Sequence, residues 1–564
     1  MKIETAHKQI KFALKKKLEK KQLSLEKRPL IDNVLEQIEC DLNNNETILY
    51  LVKAPTGYGK TTLTQVLGLY SIFNNAFFDK VIHVLPQRAI IEDAWENTNK
   101  LVKIATKKMQ GTSETVFHLS PINFTTIDTF TWDIMKLNTK KRPRIEKEYE
   151  FGYDYFTQAS IFNSLIVMDE VHYLLEDKLL DRAFQTLLTL LLTQKIPIIL
   201  MSATITDKQR NRLGKLYNYI TRKSSAGFRE FNMATNDPFF VKEKQKKFHL
   251  EFDQENKDFK SISSLLDPDK RNIVIFNTIA RAVNFYKSIE KGKGWTEKNS
   301  LLLHGAFTLG DKQENISKLE KIKDEESSFL IVSTQAIEAG VDISADIMIT
   351  ELAPPNNLIQ RMGRVARKEE PQGRIIITKP VNARPYEKEL MKRTETYLIN
   401  DLAKGVAQGK VVQLGLHPRD PSSFNPFINT IGKNPKTTAD ENLLRFISLP
   451  IYRSVDVLNS FLRTRRDAFL RDFQLSALLS SKKKRKNNYF SQLRLPPWKL
   501  AKLMELQAIE MDQEIESLVH DWQKKGYNLQ KIAFLLAKEQ AKGSLRGAII
   551  VKNKVYSSRY GLVV

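Results

Sequence analysis

The 564-residue chain holds one cysteine, Cys40, and only eight histidines. A single thiol excludes an internal disulfide framework and any Cys-rich zinc site, and it fits a reducing cytosol. No stretch reaches the ~18 to 20 consecutive apolar residues of a membrane-spanning helix. The basic N-terminus lacks the short apolar core and cleavage site of a signal peptide. The expectation is a soluble, cytoplasmic protein. Acidic residues are in deficit too: 65 Asp and Glu against 89 Lys and Arg leave a formal net charge of +24. An excess of this size points to a polyanionic partner, nucleic acid first, rather than to lysines that merely solvate the surface.

The length has room for three or four domains. Residues 1–45 form a Lys-rich segment with a helical pattern. Over 46–242, short apolar runs alternate with amphipathic stretches: ILYLV (48–52), VIHVL (81–85), FTTI (124–127), SLIVM (164–168) and PIILM (197–201). A polar, charged gap near 242–270 follows. The pattern then restarts within 243–395 as NIVIF (272–276), LLLHG (301–305), FLIVS (329–333), ADIMIT (345–350) and RIIIT (374–378). Continuous runs of this kind, separated by helical stretches, mark parallel strands buried on both faces, so two consecutive α/β domains are expected. Residues 396–488 read as a helical linker region. Residues 489–564 read as a C-terminal domain, so that the end of the chain is mainly helical, closing on a β-hairpin that turns at Lys552 and Asn553.

The chemistry sits at the ends of these runs. APTGYGKTT directly follows the first one. A Gly-x-Gly-Lys-Thr loop after a buried strand turns its backbone N–H groups towards phosphates. The candidate nucleotide contacts are therefore Ala54, Pro55, Thr56, Gly57, Tyr58, Gly59, Lys60, Thr61 and Thr62. Lys60 would reach the outer phosphates and the Thr61 hydroxyl would meet Mg²⁺. Ala54 stands where the commonest pattern has its first glycine, and it is small enough for the turn. MDEVH closes SLIVM, placing Asp169 where a strand-tip carboxylate can hold Mg²⁺ and Glu170 where it can position or deprotonate a water. MSAT follows the next run, and the hydroxyls of Ser202 and Thr204 could bond towards His172, linking the nucleotide site to a nucleic-acid path. In the second half, STQAIEAGVDIS offers Thr334 for a phosphate contact and Asp342 for the nucleotide. QRMGRVAR offers Gln360, Arg364 and Arg367, which share one face if the helix runs through them.

Taken in order, APTGYGKT, PQR (86–88), TTID (125–128), DEVH, SAT, STQAIEAGVDIS and QRMGRVAR resemble the motif series of superfamily 2 DExH helicases over about residues 50–370. Within it, DEVH, STQ-x-x-E-A-G-V-D and QR-x-G-R-x-x-R most resemble the helicase of type I CRISPR interference, as does the late Tyr560-Gly561-Leu562. The resemblance implies two tandem RecA-like domains and ATP- and Mg²⁺-dependent, 3′ to 5′ translocation on single-stranded DNA. It gives Lys60 and Thr61 to phosphate and metal, Asp169 and Glu170 to metal binding and water activation, and Gln360, Arg364 and Arg367 to the same reaction from the second domain. Pro86, Arg88 and Thr126 would line the DNA path on the first domain, with Asn277, Thr278 and Thr334 on the second. Asp128 takes a turn or capping role.

Two departures stand out. Many relatives carry Arg-Pro-x-Gln for adenine readout, whereas here Ile31 follows Arg28-Pro29-Leu30. The fused CRISPR enzyme also carries a nuclease domain with spaced histidines, but only His7 precedes the phosphate loop, and His520-Asp521 reads as a helix-surface pair. The resemblance then implies the helicase-only form, with a separate HD-type nuclease subunit and an RNA-guided surveillance complex as partners. The first forty residues are consistent with a docking arm for that nuclease. The basic clusters Lys140, Lys141, Arg142, Arg144 and Lys482–Lys486 fit a solvated linker, a DNA contact or a docking patch. Tyr489 and Phe490 could stack on bases, while Pro-flanked Trp498 is expected in a core. A general DExH helicase of RNA processing or repair, or a nucleotide-gated clamp that does not translocate, would carry nearly the same motifs.

Overall fold

The computed structural model describes residues 2–19, 26–44, 49–55, 57–74, 77–86, 88–108, 117–136, 153–222, 228–290, 294–324, 328–338, 343–404, 410–435, 437–447, 475–480, 491–542, 545 and 547–563. Two compact units emerge. One comprises Met1–Lys246 with His417–Phe461, the other Lys247–Glu338, Asp342–Leu416 and Leu462–Val564.

The first unit is built on seven strands: β1 (Leu49–Lys53), β2 (Lys80–Leu85), β3 (Ala105–Lys108), β4 (Ile122–Thr126), β5 (Ser164–Met168), β6 (Ile198–Ser202) and β7 (Phe228–Asn232). They lie in the order β3-β4-β2-β5-β6-β1-β7, and every pair is parallel. β1, β2, β4, β5 and β6 are buried almost throughout, as their unbroken apolar runs require. One face is covered by the helices Ile3–Glu19, Pro29–Asn43 and Thr61–Phe73. Ile3, Ala6, Ile10, Val34 and Ile38 share a core with Tyr50, Val52, Leu165 and Ile199. The N-terminal segment is thus helical, and its apolar stripe is part of this core.

The second unit is built on β8 (Lys247–Asp253), β9 (Arg271–Ile275), β10 (Ser300–Leu303), β11 (Phe329–Ser333), β12 (Ile347–Glu351), β13 (Gln372–Thr378) and β14 (Val411–Gln413). Its order is β10-β11-β9-β12-β13-β8-β14, parallel except for the last pair. β8 falls inside the charged gap expected near 242–270. Its Phe248, Leu250 and Phe252 alternate with Lys247, His249 and Glu251, so a search for continuous runs passes over it. β3 and β7 also escape that search, because edge strands carry polar residues.

Residues 396–488 do not form one linker. The helices Pro421–Ile431 and Glu441–Ile447 belong to the first unit. There Asn429 Nδ2 donates to Asp207 Oδ2 at 2.7 Å, and Asp440 N to Thr186 Oγ1 at 2.8 Å. Beyond them, β15 (Leu475–Leu479), β16 (Gln492–Leu495), β17 (Ile509–Met511) and β18 (Ile549–Val551) form a mixed sheet in the order β16-β15-β18-β17. Three helices, Pro497–Glu505, Gln513–Lys524 and Leu529–Lys542, accompany this sheet. The hairpin expected at Lys552 and Asn553 lies later. Apolar β18 pairs with β15 and β17, and the antiparallel pair is β19 (Tyr556–Ser557) with β20 (Gly561–Leu562). This tail is held on the second unit: Leu562 N donates to Ala306 O at 2.9 Å, and a Cβ on Gly561 would come within 2.6 Å of His304 Cε1. Trp498, expected in a core, is 62% exposed, because Leu500, Ala501 and Leu503 take the buried face of its helix. His520 and Asp521 are exposed on a helix, as expected. Both basic clusters, Tyr489 and Phe490 lie outside the described residues.

Candidate nucleotide site and the motif network of the second sheet

Parallel strands deliver their functional side chains at their C-terminal ends, and the motifs sit there. β1 runs into the phosphate loop, β5 into Asp169 and β6 into Ala203 and Thr204. Gly57 and Gly59 have φ of +89° and +95°, a backbone that a side chain would strain. Lys60 then leads directly into the helix Thr61–Phe73, with Thr61 and Thr62 in its first turn. Ala54 N donates to Ser202 O at 3.3 Å, which ties the start of the loop to the neighbouring strand. Pro55 follows it in the loop, whereas Thr56 lies outside the described residues.

Lys60 is buried with its Nζ 3.0 Å from Glu170 Oε1 and 3.3 Å from Asp169 Oδ1. Burial works against the ammonium, but the two carboxylates outweigh it and hold Lys60 above the ordinary lysine range. Burial pushes Asp169 up; Lys60 opposes this and the neighbouring Glu170 adds to it. Glu170 has φ of +51° and its N–H donates to Asp169 Oδ1 at 2.8 Å. His172 is buried, with Nδ1 3.0 Å from Ser202 Oγ and 3.4 Å from Glu170 Oε2. Burial lowers its pKa to about 4, so it is neutral at pH 7. The Thr204 N–H donates to Ser202 Oγ at 3.2 Å, while its own buried hydroxyl has no hydrogen-bond partner among the described residues.

One buried cation against two carboxylates leaves the cluster one charge short, and the helix Thr61–Phe73 starts beside it. The residues therefore fit a nucleoside triphosphate with Mg²⁺: Lys60 and the loop for phosphates, Thr61 and Asp169 for the metal.

Further side chains surround the loop and the cluster. His83, buried in β2, faces Thr64 Oγ1 at 2.8 Å through Nδ1 and Asp169 Oδ2 at 4.0 Å through Nε2. Tyr58 is buried, and its hydroxyl donates to Asp237 Oδ2 at 2.6 Å and accepts from Leu30 N at 3.0 Å. Arg28 Nε donates to Tyr58 O at 3.1 Å, and its guanidinium lies 4.5 Å over the Phe239 ring. Ile31, where relatives carry glutamine, is buried with its Cδ1 3.6 Å from where a Cβ on Gly59 would stand.

The expected nucleic-acid residues are mostly inward. Thr126 caps the helix Ile127–Ile134, accepting from Thr129 N at 3.1 Å, so its hydroxyl is engaged and buried. Asp128 sits in that helix's first turn. Pro86 is buried, and Arg88 begins the helix Arg88–Val102. In the second sheet Thr334 and Asn277 are buried and Thr278 is half-buried at the start of a helix. Asp342 lies outside the described residues.

The shared helix face of Gln360, Arg364 and Arg367 does not form. The helix Pro355–Met362 ends at Gly363, and Val365 instead bridges to Ala345, with Ala366 at φ +45°. Gln360 stays on the helix, half-buried. Arg364 Nη2 donates to Glu338 O at 2.7 Å, and Arg367 N to Ser344 Oγ at 2.9 Å. Arg361, with no role expected, is fully buried. Its Nε donates to Glu338 Oε1 at 2.8 Å, while Nη1 donates to Thr350 Oγ1 at 2.9 Å, to Glu351 O at 3.0 Å and to Asn277 Oδ1 at 3.2 Å. Asn277 in turn donates through Nδ2 to Leu352 O at 2.8 Å.

Residues 32–213 match the DEAD/DEAH box helicase family, and residues 269–370 match the family described as CRISPR-associated nuclease/helicase Cas3, C-terminal. The chain is 25% identical to a CRISPR-associated nuclease/helicase Cas3 of Methanocaldococcus jannaschii, over 64% of this chain and 51% of that protein. It is 24% identical to the CRISPR-associated helicase Cas3 of Thermoproteus tenax, over 63% of this chain and 60% of that protein. It therefore spans about half to three-fifths of the length of these relatives. The fold is like that of T. fusca Cas3 in its ATP complex, with a TM-score of 0.57 at 17% identity, covering 84% of this chain and 65% of that one. Among the described residues, no helix is long and apolar enough to cross a membrane. The chain thus carries a DEAD/DEAH box helicase match followed by a Cas3-like C-terminal match, and it is similar to the CRISPR-associated Cas3 helicases.

Proposed function

We propose that the chain uses ATP and Mg²⁺ to translocate 3′ to 5′ on single-stranded DNA and so unwinds target DNA in type I CRISPR interference. The observation that carries the hydrolytic part is the buried Lys60–Asp169–Glu170 cluster at the mouth of a loop with two left-handed glycines. Bound Mg²⁺ would offset phosphate charge. Lys60 would hold the outer phosphates, Asp169 and Thr61 the metal, and Glu170 would orient or deprotonate the attacking water. His172 and Ser202 keep Glu170 in place. Gln360, Arg364, Arg367 and Asp342 are assigned to the same reaction by the resemblance, as are Pro86, Arg88, Thr126, Asn277, Thr278 and Thr334 to DNA. A separate HD-type nuclease subunit and an RNA-guided surveillance complex are the expected partners, to be sought by co-purification.

The test is the ATPase rate without polynucleotide, with single-stranded DNA and with single-stranded RNA, followed by streptavidin displacement from 3′- and 5′-biotinylated strands. Stimulation by DNA alone with displacement from the 5′ end is expected, as is DNA affinity that falls steeply with salt as counterions are released. Stimulation by RNA alone would mean a general helicase, and hydrolysis without displacement a clamp.

A further inference from the structure

Tyr386 belongs to none of the motifs. It lies between β13 and the helix Lys388–Asn400, yet its hydroxyl accepts two hydrogen bonds from two of them. Arg361 Nη2 donates to it at 2.9 Å and Gln335 Nε2 at 3.3 Å. Gln335 also donates to Asn277 O at 3.1 Å, and Arg361 bonds the Asn277 side chain through both terminal nitrogens. On its other side Arg361 holds Glu338, whose second oxygen accepts from Asn357 Nδ2 at 2.7 Å and whose backbone carbonyl accepts from Arg364. One buried guanidinium thus joins the turn after β11, the loop after β9, the helix Pro355–Met362 and the turn bearing Arg364. The Tyr386 hydroxyl closes the network where Gln335 and Arg361 meet.

We propose that Tyr386 is a positioning residue that couples the Thr334–Glu338 turn to the Arg364 turn, so that polynucleotide bound at the first sets the hydrolysis rate supported by the second. The physical reason is geometric. The Glu338 carbonyl links the turn to Arg364 directly, and Arg361, with its Nη1 shared among three acceptors and its Nε fixed by Glu338, adds a second route through hydrogen bonds that are already directional. Tyr386 fixes Nη2 and Gln335 to one atom and makes them move together. The inference rests on the proposed function, since it presupposes a polynucleotide-responsive ATPase.

The experiment compares the unmodified chain with Tyr386→Phe, which keeps the ring and removes only the hydroxyl. Steady-state ATPase is measured with and without saturating single-stranded DNA, alongside thermal melting. The ratio of stimulated to basal rate should fall about twofold to thirtyfold, the span by which single mutations typically change coupling, with KM for ATP and the melting temperature little changed. An unchanged ratio in the variant, whether or not both rates drop together, overturns this role while leaving the proposed function standing. An unmodified chain that no polynucleotide stimulates overturns both.

Discussion

Replacing Lys60 by alanine removes the ammonium that Asp169 and Glu170 both face at about salt-bridge distance. Breaking a buried ion pair by deleting one partner costs roughly 3–5 kcal/mol, because the charge left behind stays desolvated. For a unit of this size that is a drop in melting temperature of about 6–20 °C. The pH dependence follows from the raised pKa of Asp169, which the loss of Lys60 raises further. A carboxyl whose folded pKa lies above its unfolded value contributes stability at low pH and loses it as pH rises through the folded pKa. The deficit of the variant relative to the unmodified chain should therefore be largest near pH 8 and shrink towards pH 5. Thermal denaturation of both proteins at the two pH values reads this directly, and Glu170→Gln added to the variant should recover part of the loss. Hydrolysis should vanish while DNA binding persists. Equal melting temperatures at pH 8 would refute the buried pair.

Glu170→Gln alone leaves Lys60 and Asp169 as a one-to-one pair, so the melting temperature should hold or rise while ATP turnover falls by about 10²–10⁴; near-normal turnover would remove Glu170 from the reaction. Burial holds His83 at about 3 and both His172 and His304 at about 4. Their folded pKa values lie below the unfolded one, so the stability they confer is present above about pH 6.5 and is lost as pH falls towards 4, at about 1.4 kcal/mol per pH unit for each. Urea midpoints between pH 7.5 and 5 should decline accordingly, and a flat profile would mean that these rings are hydrated.

The two sheets could be read because β1, β2, β5, β9 and β11 are buried on both faces, which leaves an unbroken apolar run. β8 escaped because only one of its faces is apolar. The residues of the Lys60–Asp169–Glu170 cluster could be singled out because they follow the C-terminal ends of β1 and β5, where chemistry concentrates in parallel sheets. The arginines were misplaced on one helix face because Gly363 stops the helix before Arg364. Tyr386 lies 25 residues from Arg361 and 51 from Gln335, so no local pattern could join them. The resemblance gives Thr126 to the DNA path, but a threonine at a helix start satisfies the backbone first.

A glycine-rich loop is usually regarded as a pliant strap that wraps whatever phosphate arrives. The phenol in its middle changes its mechanics here. With Tyr58 bonded to Asp237 at 2.6 Å and to Leu30 N at 3.0 Å, the segment Gly57–Gly59 cannot swing without breaking those bonds or dragging both neighbours along. Asp237 caps the helix Pro238–Lys244, the last helix before the chain enters β8. The middle of the loop is thereby pinned to the cap of the helix Pro238–Lys244 and to the start of the helix Pro29–Asn43, so moving it would disturb both within the first unit.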